Sequence, residues 1–141
     1  MNRERLRGQL LVDEGLRLKP YRCTAGKLTI GVGRNLDDKG VSEAEALLLL
    51  DNDIRECWDR LCDALPWLPA APEDVQQALA NMAFNLGISG LLGFRQTLEL
   101  MRTRRYAEAA QAMLASRWAG QVGQRAERLA GMVGMVRQAG E

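Results

Sequence analysis

Three prolines in close succession, Pro66, Pro69 and Pro72, cut this chain in two. Each lacks a backbone N–H and clashes with the preceding turn, so no helix runs through them. Before them, Ser42 and Glu45 carry the capping-box signature, which predicts a long helix from Ser42 to about Leu65. After them, from Glu73 onward, the pattern is helical throughout. Segments are predicted at about 73–86, 94–102, 104–115 and 124–137, joined at Gly87, Gly90, Gly93 and Gly120 to Gly123.

The residues ahead of Ser42 read differently. Leu6, Leu10 and Leu11 share one helical face and Gly15 follows as a stop, so a first helix is predicted over about 3–14. Pro20 and Gly26 bracket a turn-rich region. Lys27 to Val32 reads as strand, with β-branched Thr29, Ile30 and Val32. The expected fold is α+β, mainly α, and forms one domain over 1–141. It has a small β lobe at about 15–40, a connecting helix at about 42–65, and a helical lobe made of about 1–14 and 60–141. The first helix is expected to pack with that bundle, and a cleft is expected between the lobes.

Composition narrows the chemistry. The chain has 141 residues with 47% hydrophobic and 26% charged, enough for a real core. Lys and Arg total 19 against 18 acids, and a net charge of +1 gives no strong pull towards nucleic acid or anionic membrane. Local arginine groups (Arg102, Arg104 and Arg105; Arg117, Arg125 and Arg128) read either as solvated helix faces or as a patch for an anionic polymer. With no histidine, a His-assisted nucleophile is excluded and a catalytic zinc site is not expected. Cys23, Cys57 and Cys62 are an odd count at uneven spacing, not a disulfide framework, and Cys57 and Cys62 point to different faces of the long helix. The N-terminus lacks the apolar run of a signal peptide, and the apolar stretch Ala46 to Leu50 is too short to span a membrane. Synthesis in a host cytoplasm, without a signal peptide or stable membrane insertion, is the expectation.

The acid of most interest is Glu14, at the predicted end of the first helix. A helix C-terminus carries partial negative charge and disfavours the carboxylate. A carboxyl kept protonated is what a glycosidase needs to protonate a leaving oxygen. Eight residues separate Glu14 from Cys23, and five separate Cys23 from Thr29. This spacing, within Asp13-Glu14-Gly15-Leu16-Arg17-Leu18-Lys19-Pro20-Tyr21 and Leu28-Thr29-Ile30-Gly31-Val32-Gly33, resembles the phage-type lysozymes, or endolysins, of glycoside hydrolase family 24. The resemblance continues through Asn81-Met82-Ala83-Phe84-Asn85-Leu86-Gly87, Gly93-Phe94, Ser116-Arg117-Trp118 and Gln124-Arg125-Ala126, covering nearly the whole chain.

What that resemblance implies is specific. The activity would be hydrolysis of the peptidoglycan glycan strand between N-acetylmuramic acid and N-acetylglucosamine, in phage-mediated host lysis. Glu14 would be the general acid, and Thr29 would help hold the attacking water. Cys23 stands where most members carry a second carboxylate; it reads as a thiol that orients water, as a thiolate that acts as base or nucleophile, or as a small buried filler. Phe84 and Thr97 are the implied sugar contacts, with Phe84 equally suited to a core. Trp118 reads as core. Arg125 is expected beside Glu14, the competing reading being that it decorates its own helix. Arg34, in place of a family His, is expected to pair with Asp53. No cofactor or metal is implied. The expected partners are peptidoglycan and a separate holin-like pore or tail structure that gives a monomer access outside the inner membrane. A non-catalytic peptidoglycan-binding relative is the alternative.

Overall fold

The structure is a computed structural model, and it describes residues 1–137. The chain divides into two compact units, Met1–Leu50 and the part from Asp51 onward.

The first unit opens with helix α1, Arg3–Glu14. Asn2 caps it by accepting from the Arg5 N–H at 3.0 Å. The Gly15 N–H closes it on the Leu11 carbonyl at 3.1 Å. Expected with the helical lobe, α1 belongs to this unit. A three-stranded antiparallel sheet follows in the order β1 (Arg17–Arg22), β2 (Leu28–Gly31), β3 (Arg34–Asn35). Tyr21 lies opposite Thr29, and Ile30 lies opposite Arg34. The stretch read as a turn-rich region therefore contains a strand. Its Pro20 is tolerated because β1 is an edge strand whose register shifts between Arg17 and Tyr21, so the missing N–H costs the ladder little. The turn proper is short. Cys23 N–H reaches the Lys27 carbonyl at 3.0 Å, and Gly26 N–H reaches the Cys23 carbonyl at 2.8 Å.

The long helix α2 runs Glu43–Ala64, and the division between units falls inside it. Its capping box is formed: Glu45 N–H donates to Ser42 Oγ at 3.1 Å, and Ser42 N–H donates to Glu45 Oε1 at 2.9 Å. The second unit continues through a short 3-10 turn, Leu68–Ala70, among the prolines. Gln76 secures that turn, its side-chain amide donating to the carbonyls of Pro69 and Ala71, both at 3.1 Å. Then come α3 (Glu73–Leu92), α4 (Arg95–Arg102), α5 (Tyr106–Leu114), α6 (Arg117–Val122) and α7 (Gln124–Gly134).

The hydrophobic core lies in this second unit. Val75, Ala78, Leu79, Met82 and Ala83 repeat at helical spacing along α3 and are buried with Leu61, Leu91, Met101, Met113 and Val133. Trp118 is core, as read from the sequence. It is 3% exposed, its indole N–H donates to Asn85 Oδ1 at 2.9 Å, and Phe94 meets it edge to face. One detail differs from expectation. α6 occupies a stretch read as linker on account of Gly120 and Gly123; Ser116 starts it by accepting from the Ala119 N–H. The break expected at Gly87 is present, with φ of 77° and ψ of 163°, and a short helical piece follows it to Leu92. Among the described residues all three cysteines are free thiols.

Candidate active site

Each candidate residue of the first unit is placed by a local device. Glu14 is the last residue of α1, and the turn of chain at Gly15 leaves its side chain beside the loop after β2. Its carboxylate lies against Gly33: a Cβ built on Gly33 would stand 2.9 Å from Glu14 Oε2 and 3.2 Å from its carboxyl carbon.

Cys23 ends the hairpin's first arm, and Thr29 lies on β2 beyond the turn. The Cys23 thiol is held below its ordinary range. Backbone N–H groups of Lys27 and Ala25 are the main cause, with the Thr29 hydroxyl a smaller one acting against partial burial. Cys23 and Thr29 are therefore together, as the spacing implied. Thr29 is 3% exposed, and its hydroxyl donates to the Lys27 carbonyl at 2.9 Å. That group has one proton, so it serves either the carbonyl or the sulfur at a given moment. The larger part of the lowering comes from the backbone of Lys27 and Ala25.

Arg34 requires a correction. Its ion-pair partner is Glu45, at 2.8 Å, in place of the expected Asp53, and its Nη1 also donates to the Gly40 carbonyl at 3.1 Å. The reason is the short connection from β3 to α2. It returns the chain so that the first turn of α2, rather than a later one, faces Arg34. Glu45 thus serves Arg34 and the Ser42 N–H at once. Its carboxyl is pulled down to about 2, chiefly by the Arg34 hydrogen bond and then by Ser42. The sequence did carry a signal for Glu45, its place three residues after Ser42, but that signal spoke only of capping.

In the second unit Phe84 is 47% exposed on α3, open to a ligand. Asp53 shares a hollow of about 280 Å³ with Phe84, lined also by Glu56, Cys57 and Arg60. Thr97 is 4% exposed, on the face of α4 that buries Leu98 and Met101, and burial withdraws it from contact with a sugar. Arg125, at the start of α7, is tied to α3: its Nε donates to Asn81 Oδ1 at 2.9 Å and one terminal nitrogen to the Asn81 carbonyl at 3.2 Å. Asn81 is thus the residue that orients this guanidinium, a role its place in the motif did not reveal.

A mainly helical α+β chain with a small antiparallel sheet, and a Glu, a Cys and a Thr around that sheet, has the features of a lysozyme-type hydrolase. Comparison with known proteins agrees. The family profile described as Phage lysozyme matches residues 12–139, and the chain belongs to that family. It is similar to the "Probable T4-type lysozyme 1" of Dictyostelium discoideum, with 25% identity covering 91% of this chain and 92% of that protein. A second protein of that organism, "Probable T4-type lysozyme 2", is 26% identical over 88% of this chain and 90% of its own length. The "SAR-endolysin" of Escherichia phage Mu is 34% identical over 61% of this chain and 51% of its own length. No helix among the described residues is long and apolar enough to cross a membrane.

Proposed function

We propose that this protein is a muramidase that hydrolyses the peptidoglycan glycan strand between N-acetylmuramic acid and N-acetylglucosamine, in the service of host lysis. The observation that carries this reading is the surroundings of Cys23. Two backbone N–H groups and the Thr29 hydroxyl favour an anionic sulfur where the family usually has a carboxylate. A thiolate so held can accept a proton from water, the task a second carboxylate performs elsewhere.

In this reading the Glu14 carboxyl gives its proton to the glycosidic oxygen as the bond from that oxygen to the anomeric carbon breaks. The oxygen of the attacking water bonds to the anomeric carbon, and the water's proton passes to the Cys23 sulfur. The chemistry asks nothing of a metal or cofactor. Phe84 offers its exposed ring to a sugar face. Arg125, oriented by Asn81, is the cation proposed to act on the Glu14 carboxyl. Access to the wall would come through a separate holin-like pore or a tail structure.

The test is lysis of permeabilised Gram-negative cells, with product analysis of digested peptidoglycan, by wild type and Glu14→Gln. The amide keeps the shape and loses the dissociable proton, so the rate is expected to fall by about 10²-fold or more. The wild type should release fragments ending in reducing N-acetylmuramic acid. A folded Glu14→Gln protein that lyses cells at the wild-type rate would end the proposal. Binding of peptidoglycan by wild type with no product would replace it with a non-catalytic wall-binding role.

A further inference from the structure

We propose that Gly33 is a positioning residue for the general acid: its bare Cα makes the room in which the Glu14 carboxylate sits. This rests on the reading of Glu14 as the acid, and adds a second requirement to it.

The argument begins with a comparison inside one strand-and-loop segment. Gly31 and Gly33 both hold left-handed backbone, with φ of 70° and 69°. An alanine at either position is strained by its backbone alone. Their surroundings differ. A Cβ on Gly31 would meet nothing within 4 Å. A Cβ on Gly33 would meet Glu14 three times, at 2.9 Å from Oε2, 3.2 Å from the carboxyl carbon and 3.5 Å from Cγ. The first of these distances is shorter than real Cβ contacts, so the carboxylate or the loop would have to move. The carboxylate is the softer of the two, because Glu14 ends a helix and its side chain rotates while the loop backbone is tied. Arg34, the next residue, is fixed to the Gly40 carbonyl and to Glu45. A methyl group at position 33 therefore displaces the acid and leaves the loop in place.

Displacement of a reacting group by about 1 Å can cost on the order of 10²-fold in rate without loss of substrate affinity. Gly33→Ala should accordingly lower kcat by about tenfold to a hundredfold and leave KM within about twofold. Gly31→Ala supplies the control for strain. It carries backbone strain without the collision, so it should lower the melting temperature less than Gly33→Ala and leave kcat near wild type once rates are normalised to the folded fraction. Equal kcat for the two folded variants would overturn the proposal.

A second measurement does not depend on turnover. Gly33→Ala should lower the melting temperature less in a Glu14→Ala background than in wild type, because the group it collides with is gone. Gly31→Ala should lower it equally in both backgrounds. A Gly33→Ala effect unchanged by Glu14→Ala would refute the contact. If Glu14→Gln stays active while this coupling appears, the general-acid reading fails and the packing of Glu14 on Gly33 stands; that outcome removes the catalytic role proposed for Gly33.

Discussion

The three thiols should separate cleanly under alkylation, and the order follows from their surroundings. Cys23, Cys57 and Cys62 are all partly buried, so access alone does not rank them. Their ionisation does. Backbone N–H groups of Lys27 and Ala25 favour the Cys23 thiolate. Burial pushes the Cys57 thiol up, with Glu56 acting in the same direction against Arg60. Burial pushes Cys62 up too, reinforced by the negative charges of Asp59 and Asp63. Relative to an unperturbed thiol, Cys23 is more ionised at pH 7 and the other two are less ionised. Reactivity does not follow the thiolate population one for one. For each pH unit between two thiols the population changes about tenfold and the weaker nucleophilicity of the more acidic thiolate takes part of it back, leaving about threefold to fourfold in rate. Iodoacetamide at pH 7, followed by peptide mapping at short times, should therefore label Cys23 first. The rate-against-pH curve for Cys23 should have the lowest midpoint of the three. Labelling of Cys57 or Cys62 at the same rate or faster, or a Cys23 midpoint at or above theirs, would refute the reasoning from the turn.

Glu45 gives a prediction in acid. Its folded carboxyl titrates at about 2, and an unfolded glutamate titrates near about 4.3. A depressed value stabilises the fold above the unfolded value and loses that contribution as pH falls towards the folded one. The melting-temperature gap between wild type and Glu45→Gln should be constant above about pH 5 and close between about pH 4.5 and 2, measured by circular dichroism. Added salt should shrink the gap above about pH 5, because the pair is partly solvated, with side-chain exposures of 26% and 43%. In the core, Leu79→Ala removes a fully buried side chain from the middle of α3. It should cost about 2–5 kcal/mol in denaturant unfolding at an unchanged slope.

Much of the chain was legible because its signals are local. Gly15 stops α1, and the Ser42–Glu45 box starts α2, since a cap depends only on residues within one turn. The misses were contextual. Pro20 argued against a strand, and only knowledge that β1 is an edge removes the objection. Gly120 argued for a linker, yet α6 tolerates it at the small cost of an exposed helical glycine. In the site, the spacing of Glu14, Cys23 and Thr29 was readable, and so was the exposure of Phe84 as one of two alternatives. The partner of Arg34 was not, because it depends on how a loop of a few residues returns to α2. The burial of Thr97 depends on which face of α4 packs, and its hydroxyl gives no sign of that in the sequence. The contact of Glu14 with Gly33 joins a helix end to a loop with no pattern linking them.

The kink at Gly87 bears on how the second unit opens. A positive-φ glycine inside α3 interrupts the ladder of N–H to carbonyl bonds, so the segment before it and the segment after it do not share one run of hydrogen bonds. The shorter piece, from Ile88 to Leu92, is then held by the burial of Leu91 in the core shared with Leu79 and Met82, and not by a continuous ladder. In amide hydrogen exchange α3 would behave as two cooperative units with a border at Gly87. Phe84 and Asn81 lie on the N-terminal side of that border. The residues proposed to meet substrate and to aim Arg125 thus belong to the piece of α3 whose ladder runs unbroken from Glu73.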